Sequence, residues 1–319
     1  MSQIIPLLKN KKLKKIINVY KKTYPGDKTY GFGDFLRGCF CLAQICSKHG
    51  LEFDINISNH PLSKFIISAE ENPIINYGSV PYFENMNHIG LTKNSYKLDS
   101  HKFYSEFVNL LNTLDVENYY MQCNSFPAWT NISLFDKQIV RSKILPTDEM
   151  KDFVNNTLVN LKMQDSSFGV IHVRSGDDFL VNGKNIDYNK LLNIINTLKK
   201  IIIKNKKYII VSDNNILKGY IKKLFNNVNC YIFPITHLGE DSKQTDESLK
   251  NTMLDFFIIG YSKFVIGISF YSWGSGFSEW SSAMHNVPYK KIILTNNPVQ
   301  PSLPTKIQMY TRVSTPSVF

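Results

Sequence analysis

Apolar positions fall into two kinds of run along this chain. Short continuous runs of strand length alternate with longer runs spaced three and four apart. The alternation is most regular in the second half. Residues 168–173 read as a buried strand. Residues 187–203 have strongly amphipathic helical spacing, with Asp187 as the cap. Residues 208–211 read as a strand that ends in Ser212, Asp213, Asn214 and Asn215, and 216–225 as a helix. Residues 230–233 are a predicted strand, 234–245 a polar loop, and 247–261 a helix. A strand at 264–268, a helix at 278–284 and a last strand at 292–294 complete the set. Strands alternating with helices predict a mostly parallel, doubly wound sheet.

The first half is less regular. Residues 1–22 mix lysines with short apolar stretches. They predict a peripheral helix, with a basic amphipathic segment touching a membrane surface as the alternative. The apolar part is too short for a signal peptide or a spanning helix, and residues 265–276 are too short and too rich in Gly and Ser to span. Pro25, Gly26, Gly31 and Gly33 mark a loop over 23–33. A helix then runs from Asp34 through Phe35, Leu36, Phe40, Leu42, Ile45 and Cys46 to a stop at Gly50. Residues 51–57 alternate like a strand. Residues 58–100 are turn-rich, 103–114 a helix, 119–123 a short strand, 131–145 two weak elements and 147–161 a helix capped by Thr147. The organisation expected is an N-terminal α/β domain over 1–160 on the acceptor side and a C-terminal α/β domain over 161–319. The tail from Pro298 packs back or stays loose, and no internal repeat is evident.

Composition adds two constraints. The 319 residues carry 37 Lys and Arg against 26 Asp and Glu, a formal net charge of +11. That excess points to an anionic ligand or surface. The lysines are scattered rather than striped, which argues against nucleic acid. Five cysteines, Cys39, Cys41, Cys46, Cys123 and Cys230, form no framework and sit in apolar settings, as reduced buried thiols do. The one-residue gap between Cys39 and Cys41 is not zinc spacing, and no metal site is expected. A cytoplasmic protein is expected, with a single disulfide the alternative for a secreted one.

Three segments hold candidate chemistry. The strand at 168–173 runs into His172, Arg174, Ser175, Gly176, Asp177 and Asp178. A guanidinium just past a strand end suits a diphosphate, and Asp177 or Asp178 as its structural partner is the competing reading. His172 alternates with Arg174, so both share a face; a satisfied structural histidine is the competing reading there. Residues 264–280 join a buried strand to Ser269, Ser272, Ser275 and Ser278 among Gly274, Gly276, Tyr271 and Trp273. Hydroxyls and backbone N–H groups at a helix start suit a phosphate, and the aromatics suit a ring; a packed glycine turn is the alternative. Gly31, Gly33, Asp34, Arg37 and Gly38, next to Tyr30, form the third segment. Asp34 reads either as a general base or as a helix cap, and Arg37 as a phosphate contact or as its partner one turn on. Asp255, a carboxylate within an apolar helix, requires a partner.

The run His172-Val173-Arg174-Ser175-Gly176-Asp177 resembles the His-x-Arg signature of the fucosyltransferase superfamily, with Ser175 where many members have a second arginine. The Gly31–Gly38 segment is similar to the superfamily's N-terminal glycine-rich loop, and Asp255 with Ser269 and Ser272 to its late aspartate and serine motif. The resemblance covers three short segments. It implies two Rossmann-like domains in a GT-B-like architecture, and an inverting, metal-independent transferase without a cofactor. GDP-fucose or another GDP-sugar is the implied donor, bound mainly by the C-terminal half between the domains. A glycan or protein hydroxyl is the acceptor. His172 and Asp255 are implied to read guanine, with Arg174 on the β-phosphate and Ser269, Tyr271 and Ser272 beside it. Asp34 is the implied base, and Gly31, Gly33 and Arg37 line the donor side. A transferase of another nucleotide-sugar and a non-catalytic carbohydrate- or nucleotide-binding protein are the alternatives.

Overall fold

The computed structural model describes residues 7–20, 31–67, 82–83, 100–165, 167–175, 188–234 and 245–294. The chain divides into two compact units, residues 1–147 and 148–319. In the first, β1 (Lys15–Val19), α1 (Phe32–His49), β2 (Glu52–Asn56), a 3-10 turn (Pro61–Lys64), β3 (Ile66–Ile67) and β4 (Tyr82–Phe83) come in order. They are followed by α2 (Ser100–Thr113), β5 (Asn118–Met121), α3 (Leu134–Lys143) and β6 (Leu145–Pro146). Four strands pair in the order β2-β1-β5-β4, all parallel, and β3 pairs antiparallel with β6.

The second unit holds α4 (Asp148–Asn160), β7 (Phe168–Arg174), α5 (Tyr188–Ile201), β8 (Lys207–Ser212) and α6 (Asn215–Leu224). Next come β9 (Val228–Asn229), α7 (Asp246–Tyr261), β10 (Phe264–Ser269), α8 (Gly276–His285) and β11 (Tyr289–Ile293). Its five strands are parallel, in the order β11-β10-β7-β8-β9. Counted within the unit this is 3-2-1-4-5, the order of doubly wound nucleotide-binding sheets. Only the last residue of β7 escapes full burial, because helices cover both faces of a parallel sheet. Ile171 and Val173 enter a core with Ile194, Leu198, Leu217 and Ile221 on one face. His172 and Arg174 therefore look out from the other. The expected α/β class with parallel sheets flanked by helices is what the structure shows.

Four sequence expectations need correction. No peripheral or membrane-touching helix forms over the described part of the first segment; Lys15–Val19 is an inner strand, hydrogen-bonded on both sides. The lysines before it hid a short run, buried from Ile16 on, that needs neighbours to become a strand. The first helix begins at Phe32, with Gly31 as N-cap, so Gly33 lies in its first turn rather than in the loop. Asp34 is then the third helical residue and not a cap. Finally, residues 230–233 are not a strand. Pairing along β9 ends at Asn229, and the next carbonyls go elsewhere: Asn215 Nδ2 donates to Phe233 O at 2.7 Å and Asn251 Nδ2 to Pro234 O at 2.7 Å. Asp187, Tyr30, most of the loop over 234–245 and the tail from Pro298 lie outside the described residues.

Candidate active site

Strand β7 is flanked by β8 on one side and β10 on the other. The connections leave it in opposite directions there, and parallel α/β sheets bind ligands outside the carboxyl ends of the strands at such a point. Arg174 ends β7 and Ser269 ends β10, and the two are register partners. Arg174 and the serine segment, distant in sequence, thus meet at the switch point. Gly176, Asp177 and Asp178 lie outside the described residues.

The partner of Arg174 is one that sequence reasoning passed over. Arg174 Nη1 lies 3.0 Å from Asp213 Oδ2 at the end of β8. The other oxygen of that carboxylate, Oδ1, accepts from Ser175 N at 2.9 Å and Ser175 Oγ at 2.5 Å. Ser175 therefore does not replace a second cation with another cation. It clamps the aspartate that orients the first. Ser212 Oγ donates to Val173 O at 2.8 Å, which ties the ends of β7 and β8 together. Asn214 caps α6 by accepting from Leu217 N at 2.9 Å, which fixes the turn carrying Asp213.

On the same face as Arg174, His172 Nδ1 is 2.9 Å from Ser278 Oγ of α8. Burial pushes its pKa down to about 4, with Arg174 opposing and Asp213 favouring the charged form. At neutral pH the imidazole is uncharged. With Nδ1 on Ser278, Nε2 is left for one further bond, as donor or acceptor according to the tautomer, which suits a base edge better than a phosphate. The positive charge at the strand ends comes from Arg174.

Asp255 lies in the middle of α7 and is buried. Its required partner is Tyr231, whose hydroxyl donates to Asp255 Oδ1. Burial raises the Asp255 pKa to about 6, opposed by the Lys218 ammonium and the Tyr231 bond and reinforced by Asp213. Lys218, on α6, is wholly buried, with Nζ 5.1 Å from the centre of the Tyr231 ring. Sequence reasoning missed it, because among the many lysines of this chain it reads as one more solvated helix residue. The available signal was its place inside the apolar stripe of α6, directly after Leu217 and before Ile221.

The serine segment is divided. Ser269 is buried and its Oγ accepts from Tyr271 N at 3.1 Å. Ser272 is exposed. Ser275 is the N-cap residue of α8 without a side-chain cap bond. The turn between needs Gly274, whose φ of +85° is a left-handed value. Tyr271 stacks on Trp273 with centroids 5.0 Å apart and planes 18° off parallel, and Trp273 is 68% exposed.

In the first unit, Gly31 caps α1 and Gly33 is buried in its first turn. Asp34 Oδ1 is 2.9 Å from Arg37 Nη1, and Asp34 keeps 39% of its side chain exposed. Arg37 is held in place by Nε donating to Asn124 O at 2.6 Å and by the Phe126 ring 4.3 Å away. Gly38 allows this packing: a Cβ there would stand 1.7 Å from Cys123 O. All five cysteines are buried and free. No His, Cys, Asp and Glu grouping fit for a metal ion occurs among the described residues. Nor is any described helix long and apolar enough to cross a membrane.

No protein-family model and no curated protein matches the sequence. Solved structures do. NodZ α-1,6-fucosyltransferase soaked with GDP-fucose superposes with a TM-score of 0.53 at 16% identity, over 89% of this chain and 95% of that one. Fucosyltransferase NodZ from Bradyrhizobium gives 0.53 at 14% identity, over 90% and 97%. A mutant of Arabidopsis thaliana FUT1 in complex with GDP gives 0.55 at 7% identity, over 91% and 72%. At such identities the likeness establishes the fold. The chain has an α/β fold of parallel sheets flanked by helices, consistent with a GT-B-like architecture and similar to that of these fucosyltransferase structures.

Proposed function

We propose that this protein is a glycosyltransferase that moves fucose from GDP-fucose to a hydroxyl acceptor. The observation that carries the reading is the pairing of Arg174 with Ser269 at the switch point of a 3-2-1-4-5 parallel sheet. Asp213 presets the guanidinium there. The fold likeness to structures holding GDP or GDP-fucose supports it. In this reading both units are Rossmann-like and the donor binds the second. Arg174 meets the β-phosphate and neutralises the charge that develops on it as the glycosidic bond breaks. That neutralisation is the work a divalent cation does in other transferases, and activity is expected to survive EDTA.

His172 and Asp255 read the base. An uncharged imidazole and an ionised carboxylate offer the mixed donor and acceptor set that guanine requires. Asp34 takes the proton of the acceptor hydroxyl, which attacks the anomeric carbon from the face opposite the diphosphate and inverts it. Gly31, Gly33 and Arg37 lie on the same turn as Asp34; Tyr271 and Ser272 flank Ser269 on the donor side.

A thermal-shift panel of GDP, UDP, CMP and their sugars tests the donor. Stabilisation by GDP and GDP-fucose is expected, and preferential stabilisation by UDP overturns the base assignment. Slow hydrolysis of GDP-fucose without acceptor is expected of an enzyme. Tight GDP-fucose binding with no hydrolysis and no transfer to any acceptor favours a carbohydrate- or nucleotide-binding protein instead.

A further inference from the structure

Two buried side-chain atoms of α6, Asn215 Oδ1 and Lys218 Nζ, have no hydrogen-bond partner among the described residues. Native interiors pair such atoms, so an exception calls for a reason. Lys218 is the more costly of the two. Its ammonium is removed from water, has no hydrogen-bond acceptor, and sits against the face of Tyr231. A leucine or methionine there would pack without that desolvation cost. Burial lowers its pKa from the ordinary lysine value, and Asp255, Cys230 and Asp213 oppose that by favouring the protonated form. Tyr231 joins the parts, with its ring under Lys218 and its hydroxyl on Asp255.

We propose that Lys218 is a positioning residue of the nucleotide-sugar site: its buried ammonium, seated over the Tyr231 ring whose hydroxyl bonds Asp255, is the counter-charge that keeps Asp255 ionised. The proposal rests on the reading of Asp255 as the base-recognising carboxylate. An ionised Asp255 accepts from the N–H groups of a guanine edge; a protonated one carries a hydrogen where an acceptor is needed. Without Lys218, Asp255 keeps its burial and loses the opposing positive charge, so it gains its proton at higher pH. The groups around Asp255 support this arrangement. Lys218 comes from α6, Asp213 from the end of β8 and Tyr231 from the segment after β9, where Cys230 Sγ also meets Lys218 O at 3.6 Å. On the other side α8 brings Ser281, whose Oγ donates to Phe256 O, and His285, whose ring meets Phe256 at 5.5 Å. Where α4 meets α7, Glu149 pairs with Lys250. Among the described residues, Lys218 is the cation that acts on Asp255.

The test is GDP binding by calorimetry across about pH 5 to pH 8.5, for the wild type and Lys218→Met. Wild-type affinity is expected to fall only below about pH 6. In Lys218→Met the midpoint moves up by about one pH unit, as for the loss of an adjacent opposite charge, and affinity recovers toward alkaline pH. An unmoved midpoint, or a loss that is the same at every pH, overturns the proposal. A second readout needs no nucleotide: the side-chain carboxyl resonance of Asp255, assigned by its absence from Asp255→Asn. It is expected to titrate near pH 6 in the wild type and higher in Lys218→Met. If Met is not tolerated, Lys218→Gln serves, since it also removes the charge. Failure of GDP to bind the wild type rejects the nucleotide reading. A shift of the Asp255 resonance in that case still upholds Lys218 as its counter-charge, and no shift overturns it.

Discussion

Among the described residues, each unit has an arginine paired with an aspartate at an almost equal distance, Arg37–Asp34 at 2.9 Å and Arg174–Asp213 at 3.0 Å. Their surroundings separate them. Arg37 is bound on three sides, by a carboxylate, a backbone carbonyl and an aromatic ring, and its aspartate is the more exposed partner. Arg174 stands at the carboxyl end of a central strand, where its aspartate is the more buried partner and is fixed by Ser175. In the first pair the carboxylate is the more exposed member, and in the second the guanidinium is. The lesson is that an ion pair shows its use by which member faces the solvent.

That contrast is broken or sharpened by substitution, with effects of decreasing size. Asp34→Asn tests the available carboxylate. As the acceptor's base it is expected to lose about 10³-fold in kcat, within the usual range for a general base, with melting little changed. A rate near wild type would return Asp34 to a structural role. Arg174→Ala is expected to lower kcat by ~100-fold or more, as the loss of a single transition-state donor does. Intact folding with an unchanged rate would sink the diphosphate role.

Arg37→Met removes the partner but leaves the base. We expect a lower melting temperature, from loss of the Asn124 and Phe126 contacts, and a kcat within about 10-fold of wild type. A kcat loss matching that of Asp34→Asn would mean that the pair acts as one unit. Gly38→Ala forces a methyl onto Cys123 O and is expected to cost about 1–3 kcal/mol, read by denaturant unfolding.

The smallest effect is in the pH dependence of stability. His172 has its pKa lowered from 6.5 to about 4 on folding, so its contribution is present above pH 6.5 and is lost as pH falls through about 4. Asp255 is raised from 3.8 to about 6, so its contribution is present below pH 3.8 and is lost as pH rises through about 6. The two oppose each other between about pH 4 and pH 6. Compared with wild type, His172→Gln should therefore gain melting temperature toward acid over that window, and Asp255→Asn should lose it. Parallel curves for the two variants would remove both assignments.

Much was legible in the residues themselves. The alternation over the second half predicted its strands and helices because a buried parallel strand must be continuously apolar and an amphipathic helix must repeat every three or four residues. The same local rule placed His172 and Arg174 on one face of β7. It failed for Lys15–Val19, where flanking lysines outweighed the few apolar residues that two neighbouring strands bury. It failed again after Asn229, where side-chain amides from α6 and α7 take the carbonyls that a longer strand would have paired.

The pattern of apolar positions thus determined that this chain folds as α/β layers and which strand end carries a cation. Tertiary structure alone decided what that cation faces. Asp213 lies 39 residues beyond Arg174, and Ser269 lies further still; only the order of strands in the sheet brings them to adjacent strand ends. It also decided that one lysine among many, Lys218, would be buried over the ring of Tyr231, whose hydroxyl bonds Asp255. Charge interactions depend on distance and on exclusion of water, and sequence spacing encodes neither.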